Sequence, residues 1–390
     1  MGPSLPQSDR DARARSDGLA IKRDLYHYDY AYPPGIAVAR DLPPGEEFSP
    51  CFVAEIMRIQ AATFENGMQS SARSEDTRAH RRLSFLMTAG RALMSPAELG
   101  STLGTQLTDH ARMMRDDRPA TVLGYNELYT TIERPAVAAN YQDDFIFAWQ
   151  RIAGANPMVL RALTRLPEHY RFDANSFRAA TRTHYGASYE GPSFDASLAA
   201  GRFFVADYSL LADVPNGSWL GVPQYLFAPI ALFCWFPPIG RYPARLMPIA
   251  IQETQAGDSR VVDPSMTAAW ILAKTAVQVA DLVWHEARVH LGLTHLVMEG
   301  VTIATQRQLS SRHPLHVLLA PHCRFTLAIN DFAKHHLIVP GGQVEQYIAP
   351  AIAGFLGVVA KTLSAFRWKD IALRNDLEAR GVNDVTRLPL

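Results

Sequence analysis

The chain has 390 residues, 48% hydrophobic and 19% charged, the balance of a globular protein with a large core arranged as one large domain or two ordinary ones. Lys plus Arg and Asp plus Glu number 38 each, so no net field gathers nucleic acid, and no nucleic-acid partner is expected.

Residues 1 to 45 are rich in Pro, Gly, Asp and Arg ("AYPPGIAVARDLPPGEEF" spans their end) and predict an N-terminal arm that wraps a domain running over 46–390. "MGPSLPQSDRDARARSDG" contains no apolar run, so no secretory signal is visible. Cys51, Cys234 and Cys323 lie far apart and form no C-x-x-C pair, which predicts free, mostly buried thiols in a reducing compartment and a cytoplasmic location.

From Phe52 to about Met114 the pattern is helical: "FVAEIMRIQAATF" and "RRLSFLMTAGRALM" repeat apolar residues at three and four, and Ser95-Pro96 opens a further helix. Arg78, Arg81 and Arg82 read as a solvated helix face. Between 201 and 252, "RFFVADYSLL", "YLFAPIALFCWF" and "ARLMPIAIQ" are short apolar runs separated by Pro and Gly, which predict a few strands. From Pro264 to His313 no proline interrupts the chain, and one or two buried helices are expected. "PGG" at 340–342 marks a turn. "YIAPAIAGFLGVVAKTLSAF" is interrupted by Pro350 and Lys361, so it predicts a buried helix and no transmembrane segment.

Within the long helix, "WHEARVHLGLTHLVMEG" places His285, His290 and His295 five residues apart. An α-helix turns about 100° per residue, so positions five apart diverge by roughly 140°. The zinc-protease signature H-E-x-x-H avoids this with a spacing of four. His290 and His295 converge only where the helix widens to i→i+5 hydrogen bonding, a π-bulge of the kind that concentrates at functional sites. The apolar neighbours Leu282, Val283, Val289, Leu291, Leu293, Leu296 and Val297 mean that buried imidazoles here need partners. Spacing alone leaves a metal site and a buried polar network both open.

At these residues the chain resembles the lipoxygenases, non-haem iron enzymes that dioxygenate polyunsaturated fatty acids. The family pattern W-x-x-A-K, then H-[QE]-x-x-x-H-x-x-x-T-H, then E, appears as Trp270, Ala273, Lys274, His285, Glu286, His290, Thr294, His295 and Glu299. It continues as R-x-L-x-x-x-H-P and L-L-x-P-H at Arg307, Leu309, His313, Pro314, Leu318, Leu319, Pro321 and His322. "DDFIFAWQRIAGANPMVLRAL", the strand-like runs, "CRFTLAINDFAKHHLIVPGG" and "DLEARGVND" extend the resemblance over residues 140 to 345 and beyond.

The resemblance implies a mainly α lipoxygenase-like helical domain around a long central helix with a π-bulge, plus a few short strands. It makes His290 and His295 metal ligands, and makes His285, Glu286 and Glu299 groups that orient them. It places Ala333 and Leu337 against the substrate. The implied cofactor is non-haem iron, with manganese as the alternative. The implied partners are a polyunsaturated fatty acid and molecular oxygen, and the implied product is a hydroperoxide. The family completes its site with a third histidine, an asparagine four residues later and a terminal isoleucine carboxylate. No His-x-x-x-Asn occurs here, and His313, His316, His322, His335 and His336 match no ligand position. Leu390 matches the middle of the family pattern, so the catalytic domain is expected to be C-terminally incomplete, and full activity to depend on a complementing C-terminal polypeptide. Two other readings remain: a catalytically inactive lipid-binding homologue, and a minimal site in which Glu299 joins the two histidines as a third ligand.

Overall fold

The computed structural model describes residues 2–31, 36–70, 123–219 and 221–388. The Arg78, Arg81 and Arg82 cluster, the helix expected over "RRLSFLMTAGRALM", the one expected at Ser95-Pro96, and Leu390 lie outside the described residues.

The stretch expected to be an arm contains helix α1 (Ala12–Leu25), which Asp11 caps by accepting from the N–H of Ala14 at 2.9 Å. Strands β1 (Tyr28–Asp29) and β2 (Val38–Ala39) then pair antiparallel. The first expected helix is α2 (Pro50–Ser70). Cys51 sits exposed in its first turn, so of the three thiols only Cys234 and Cys323 are buried.

Helix α3 (Asp144–Ala153) starts at Asp143, whose carboxylate accepts from the N–H of Ile146. Strand β3 (Leu160–Ala162) follows, and α4 (Ala174–Tyr185) opens with a capping box between Asp173 and Ser176. The runs read as strands become β4 (Phe203–Asp207), β5 (Ile230–Phe236) and β6 (Arg245–Gln252), followed by β7 (Val261–Val262). With β3 they form one antiparallel sheet in the order β3-β4-β5-β6-β7. Every residue of β5 is buried, which explains why it reads as a continuous apolar run with no alternation. The β5–β6 register slips between Leu232 and Phe233, opposite Pro248, which has no N–H to give the ladder.

Residues Pro264 to Gln308 are helical without a break. They comprise a 3-10 turn (Pro264–Met266), α5 (Thr267–Trp284), a π-helical segment (His285–Leu296) and α6 (Val297–Gln308). By length and composition this helix is apolar enough to cross a membrane, a test that core helices of globular proteins also pass. It is less buried than its sequence suggests. Trp270, Ala273, Val277, Ala280 and Trp284 form a buried stripe at spacings of three and four, whereas Leu272 and Leu282 fall off the stripe and are exposed. Beyond it lie α7 (Pro314–Leu319), α8 (Thr326–Phe332), a second π segment (Ala333–Leu337), α9 (Ile352–Ser364) and α10 (Leu373–Arg380). The turn at "PGG" and the buried helix α9 follow the sequence reading.

The chain divides into two compact units. One holds residues 140–218, 223–290 and 349–390. Its core is aromatic, with Phe177 packed edge-on to Phe203 and stacked on Phe236 across the sheet. The other holds residues 1–139, 219–222 and 291–348. Its core joins Tyr26 from the end of α1 to Ile303 of α6 and Leu327 of α8, with Tyr28, Ala39 and Leu42 packed around them. Arg307 of α6 ties the chain here by donating to the carbonyls of Arg23 and Tyr26 at 2.8 and 2.5 Å.

Candidate metal centre

The five-residue spacing is matched by the backbone: π-helical bonding runs from His285 to Leu296, twelve residues that include all three histidines. In a π-turn positions five apart stack along one face, so the departure from α-geometry supplies what the spacing requires.

In the unit that ends at His290, the Glu286 carboxylate bridges two rings. Its Oε2 lies 2.5 Å from Nδ1 of His290 and its Oε1 lies 3.2 Å from Nδ1 of His285. The two imidazoles are nearly parallel, with centroids 6.0 Å apart and planes 15° apart. The hydrogen bond to His290 holds the Glu286 carboxyl below its usual range, and the same bond raises the His290 imidazole. His290 itself is exposed, 48% of its side chain reaching solvent, so for this ring the buried-network reading fails. Glu286, one turn back, holds it at the surface.

In the other unit, Nδ1 of His295 lies 2.6 Å from Oδ1 of Asn330. The Asn330 amide nitrogen donates to the carbonyl of His295 at 3.1 Å and to Oε2 of Glu299 at 2.7 Å. Oε1 of Glu299 accepts from the N–H of Ala39 at 2.7 Å. Burial raises the Glu299 carboxyl, and the bonds from Ala39 and Asn330 pull the other way. Both oxygens of Glu299 are thus engaged, one by the Ala39 N–H and one by the Asn330 amide. Among the described residues, no three His, Cys, Asp or Glu side chains gather as a metal-binding group.

Ala333 and Leu337 bound the second π segment, three and seven residues beyond Asn330, on the same side of a helical path. Both are half-buried. The donor set suits the implied metal. In each of the two imidazoles it is Nδ1 that faces an oxygen, so Nε2 is the ring nitrogen that would meet a metal.

A lipoxygenase family model matches residues 111–387, more than half of the chain. The chain belongs to the lipoxygenase family. A linoleate 9/13-lipoxygenase of Pseudomonas aeruginosa is 32% identical over 99% of this chain and 62% of its own length. The polyunsaturated fatty acid lipoxygenase ALOX15B of Rattus norvegicus is 35% identical over 64% of this chain and 36% of its own length. The chain therefore spans less than two thirds of these curated relatives. Among solved structures, a calcium-dependent 11R-lipoxygenase superposes with a TM-score of 0.76, at 22% identity, over 100% of this chain and 52% of that one. The fold, mainly helical around a long helix with a π segment, is thus a lipoxygenase fold.

Two features of this chain are not legible in its sequence. Asn330 lies inside the family-like stretch "CRFTLAINDFAKHHLIVPGG", and its only signal is an amide within the apolar run "TLAIN". Arg151 of α3 is 1% exposed and ion-paired with Asp281 of α5 at 3.0 Å, where an arginine beside a glutamine suggests surface. Trp270 and Lys274 of the W-x-x-A-K pattern acquire a physical reason: one helical turn apart, both donate to Oδ1 of Asp144, at 2.8 and 2.7 Å.

Proposed function

We propose that this chain carries the larger part of a site that dioxygenates polyunsaturated fatty acids to hydroperoxides. The observation that carries the reading is the π segment, whose five-spaced His290 and His295 each have Nδ1 engaged by an oxygen. Non-haem iron, or manganese in its place, supplies when bound the one-electron chemistry that removes a hydrogen atom from the carbon between two cis double bonds.

The residues of the chain do the positioning. His290 and His295 offer Nε2 as metal ligands, and Glu286 keeps the His290 ring turned by holding its Nδ1. His285 shares that carboxylate and limits its swing. Glu299 acts on the His295 side through Asn330. Ala333 and Leu337 would line an apolar channel that holds the acyl chain against the metal and keeps water away. The third histidine, asparagine and terminal isoleucine of the family have no counterpart in this sequence, and we assign them to a complementing C-terminal segment. Three free cysteines suit a cytoplasmic setting.

The test measures bound iron and conjugated-diene formation from linoleate, with the chain alone and co-expressed with a segment carrying His, Asn and a terminal Ile. The chain alone is expected to hold iron substoichiometrically and turn over little substrate, and the segment to restore both. His290→Ala and His295→Ala should each block the restoration. Stoichiometric iron and full turnover without the segment would overturn the ligand assignment. Restored iron with no diene formed would favour the lipid-binding homologue.

A further inference from the structure

Glu299 and Asn330 are 4% and 8% exposed, and they stand between a candidate ligand and a strand from the N-terminal 45 residues. The orientation of the Asn330 amide follows from the groups around it. The carbonyl oxygen of His295 can only accept, so the nitrogen of the amide must face it, as it faces the Glu299 carboxylate. That leaves Oδ1 toward the His295 ring. An oxygen with no proton to give requires one from Nδ1, so the imidazole is held with its proton on Nδ1 and its lone pair on Nε2.

Glu299 is anchored in turn. Its second oxygen accepts from the N–H of Ala39, in β2. The approach of this strand to α6 is close because Gly300 offers no side chain: a Cβ there would lie 3.3 Å from the carbonyl oxygen of Ala37. Ala39 also packs on the Tyr26, Ile303 and Leu327 core, so the strand is held by apolar contact as well as by the hydrogen bond. The chain of contacts runs from a backbone N–H through a buried carboxylate and an amide to an imidazole, each polar link 2.6 to 2.7 Å long.

We propose that Asn330 is a positioning residue that fixes the tautomer and ring plane of His295, and that the N-terminal strand residue Ala39, acting through Glu299, holds Asn330 in place. The consequence for metal binding rests on the proposed function; the tautomer assignment does not. Loosening the N-terminal strand would therefore loosen a ligand that it reaches through two buried side chains.

The experiment uses the full chain, free of metal, labelled with 15N-histidine, and the His295 ring signals are assigned by their loss in His295→Gln. In the parent protein, above the titration of the ring, Nδ1 should be pyrrole-like and Nε2 pyridine-like. Asn330→Leu should lose that preference while far-UV circular dichroism and thermal unfolding report a folded chain. A folded Asn330→Leu with the parent tautomer overturns the proposal. Should Asn330→Leu fail to fold, Asn330→Asp keeps an acceptor at the ring and should retain the Nδ1–H form; an Nε2–H form there overturns it equally. Ala39→Pro deletes the donor to Glu299 and should speed solvent exchange of the Nδ1 proton; an unchanged exchange rate removes the strand from the proposal.

Titration with cobalt(II) separates the two readings. Asn330→Leu should weaken its affinity by about 10- to 100-fold, the usual cost of removing a group that orients a ligand. A changed tautomer with unchanged cobalt affinity, in the parent's stoichiometry, would uphold Asn330 as the group that sets the ring and refute His295 as a ligand.

Discussion

Asp281→Ala tests the polar interior beneath the long helix. The Asp281 carboxylate accepts from the Tyr208 hydroxyl and from the Asn156 amide, both at 2.8 Å, and is ion-paired with Arg151 at 3.0 Å. The Arg151 side chain is 1% exposed and also bonds to Tyr208 and to Gln278. Truncation leaves a buried guanidinium without its counter-charge, at a cost of about 3–5 kcal/mol. The two orphaned donors add to this, but they share one network and the terms do not sum. With a urea dependence near the upper end of about 1–3 kcal/mol per molar, the midpoint of the transition that reports this unit should fall by roughly 1–1.7 M. The assay is urea unfolding followed by tryptophan fluorescence, with Trp270 and Trp284 on the same helix as reporters. The decisive comparison is with Arg151→Met/Asp281→Ala, which removes both charges and should be more stable than Asp281→Ala alone. Additive losses, or a single-variant shift below about 0.3 M, would show that the pair does not carry the stability assigned to it.

Asp173 caps α4 with its carboxyl below the usual range, chiefly because it accepts from the N–H of Ser176. Its contribution is therefore complete above the unfolded value of 3.8 and is lost as pH falls through the lower folded value. Asp173→Ala should cost about 1 kcal/mol at neutral pH in thermal melts, and Asp173→Asn should cost less and abolish this pH dependence. Cys234 is fully buried and burial pushes its thiol up, so native alkylation should label Cys51 and spare Cys234, as peptide mass spectrometry would report. Labelling of Cys234 at the rate of Cys51 would contradict the packing of β5. Gly217→Ala would set a Cβ 2.8 Å from the backbone of Pro350 and should lower stability by about 1–3 kcal/mol; an unchanged melting temperature would show that this contact yields freely.

What was legible in the sequence is what depends on neighbours along the chain. The buried strands announced themselves as apolar runs, and the long helix as an absence of proline. The π segment was legible because a spacing of five on an apolar helix conflicts with a period of 3.6, and the backbone resolves the conflict. Helix α1 was missed because Pro and Gly on either side set the composition of the whole stretch, while its cap, Asp11, and its anchor, Arg307, are one local and one distant.

The same division runs through the candidate site. The partner of His290 is Glu286, four residues earlier, so any helical reading brings the two together. The partner of His295 is Asn330, 35 residues later on another helix, and no period in the sequence connects them. Both contacts have the same physical content: an oxygen facing Nδ1 of the ring. They differ in what would disturb them. The first survives as long as one turn of helix survives, whereas the second depends on α6, α8 and the β2 strand keeping their places together. Damage confined to the N-terminal strand should therefore reach His295 and leave the Glu286–His290 contact intact.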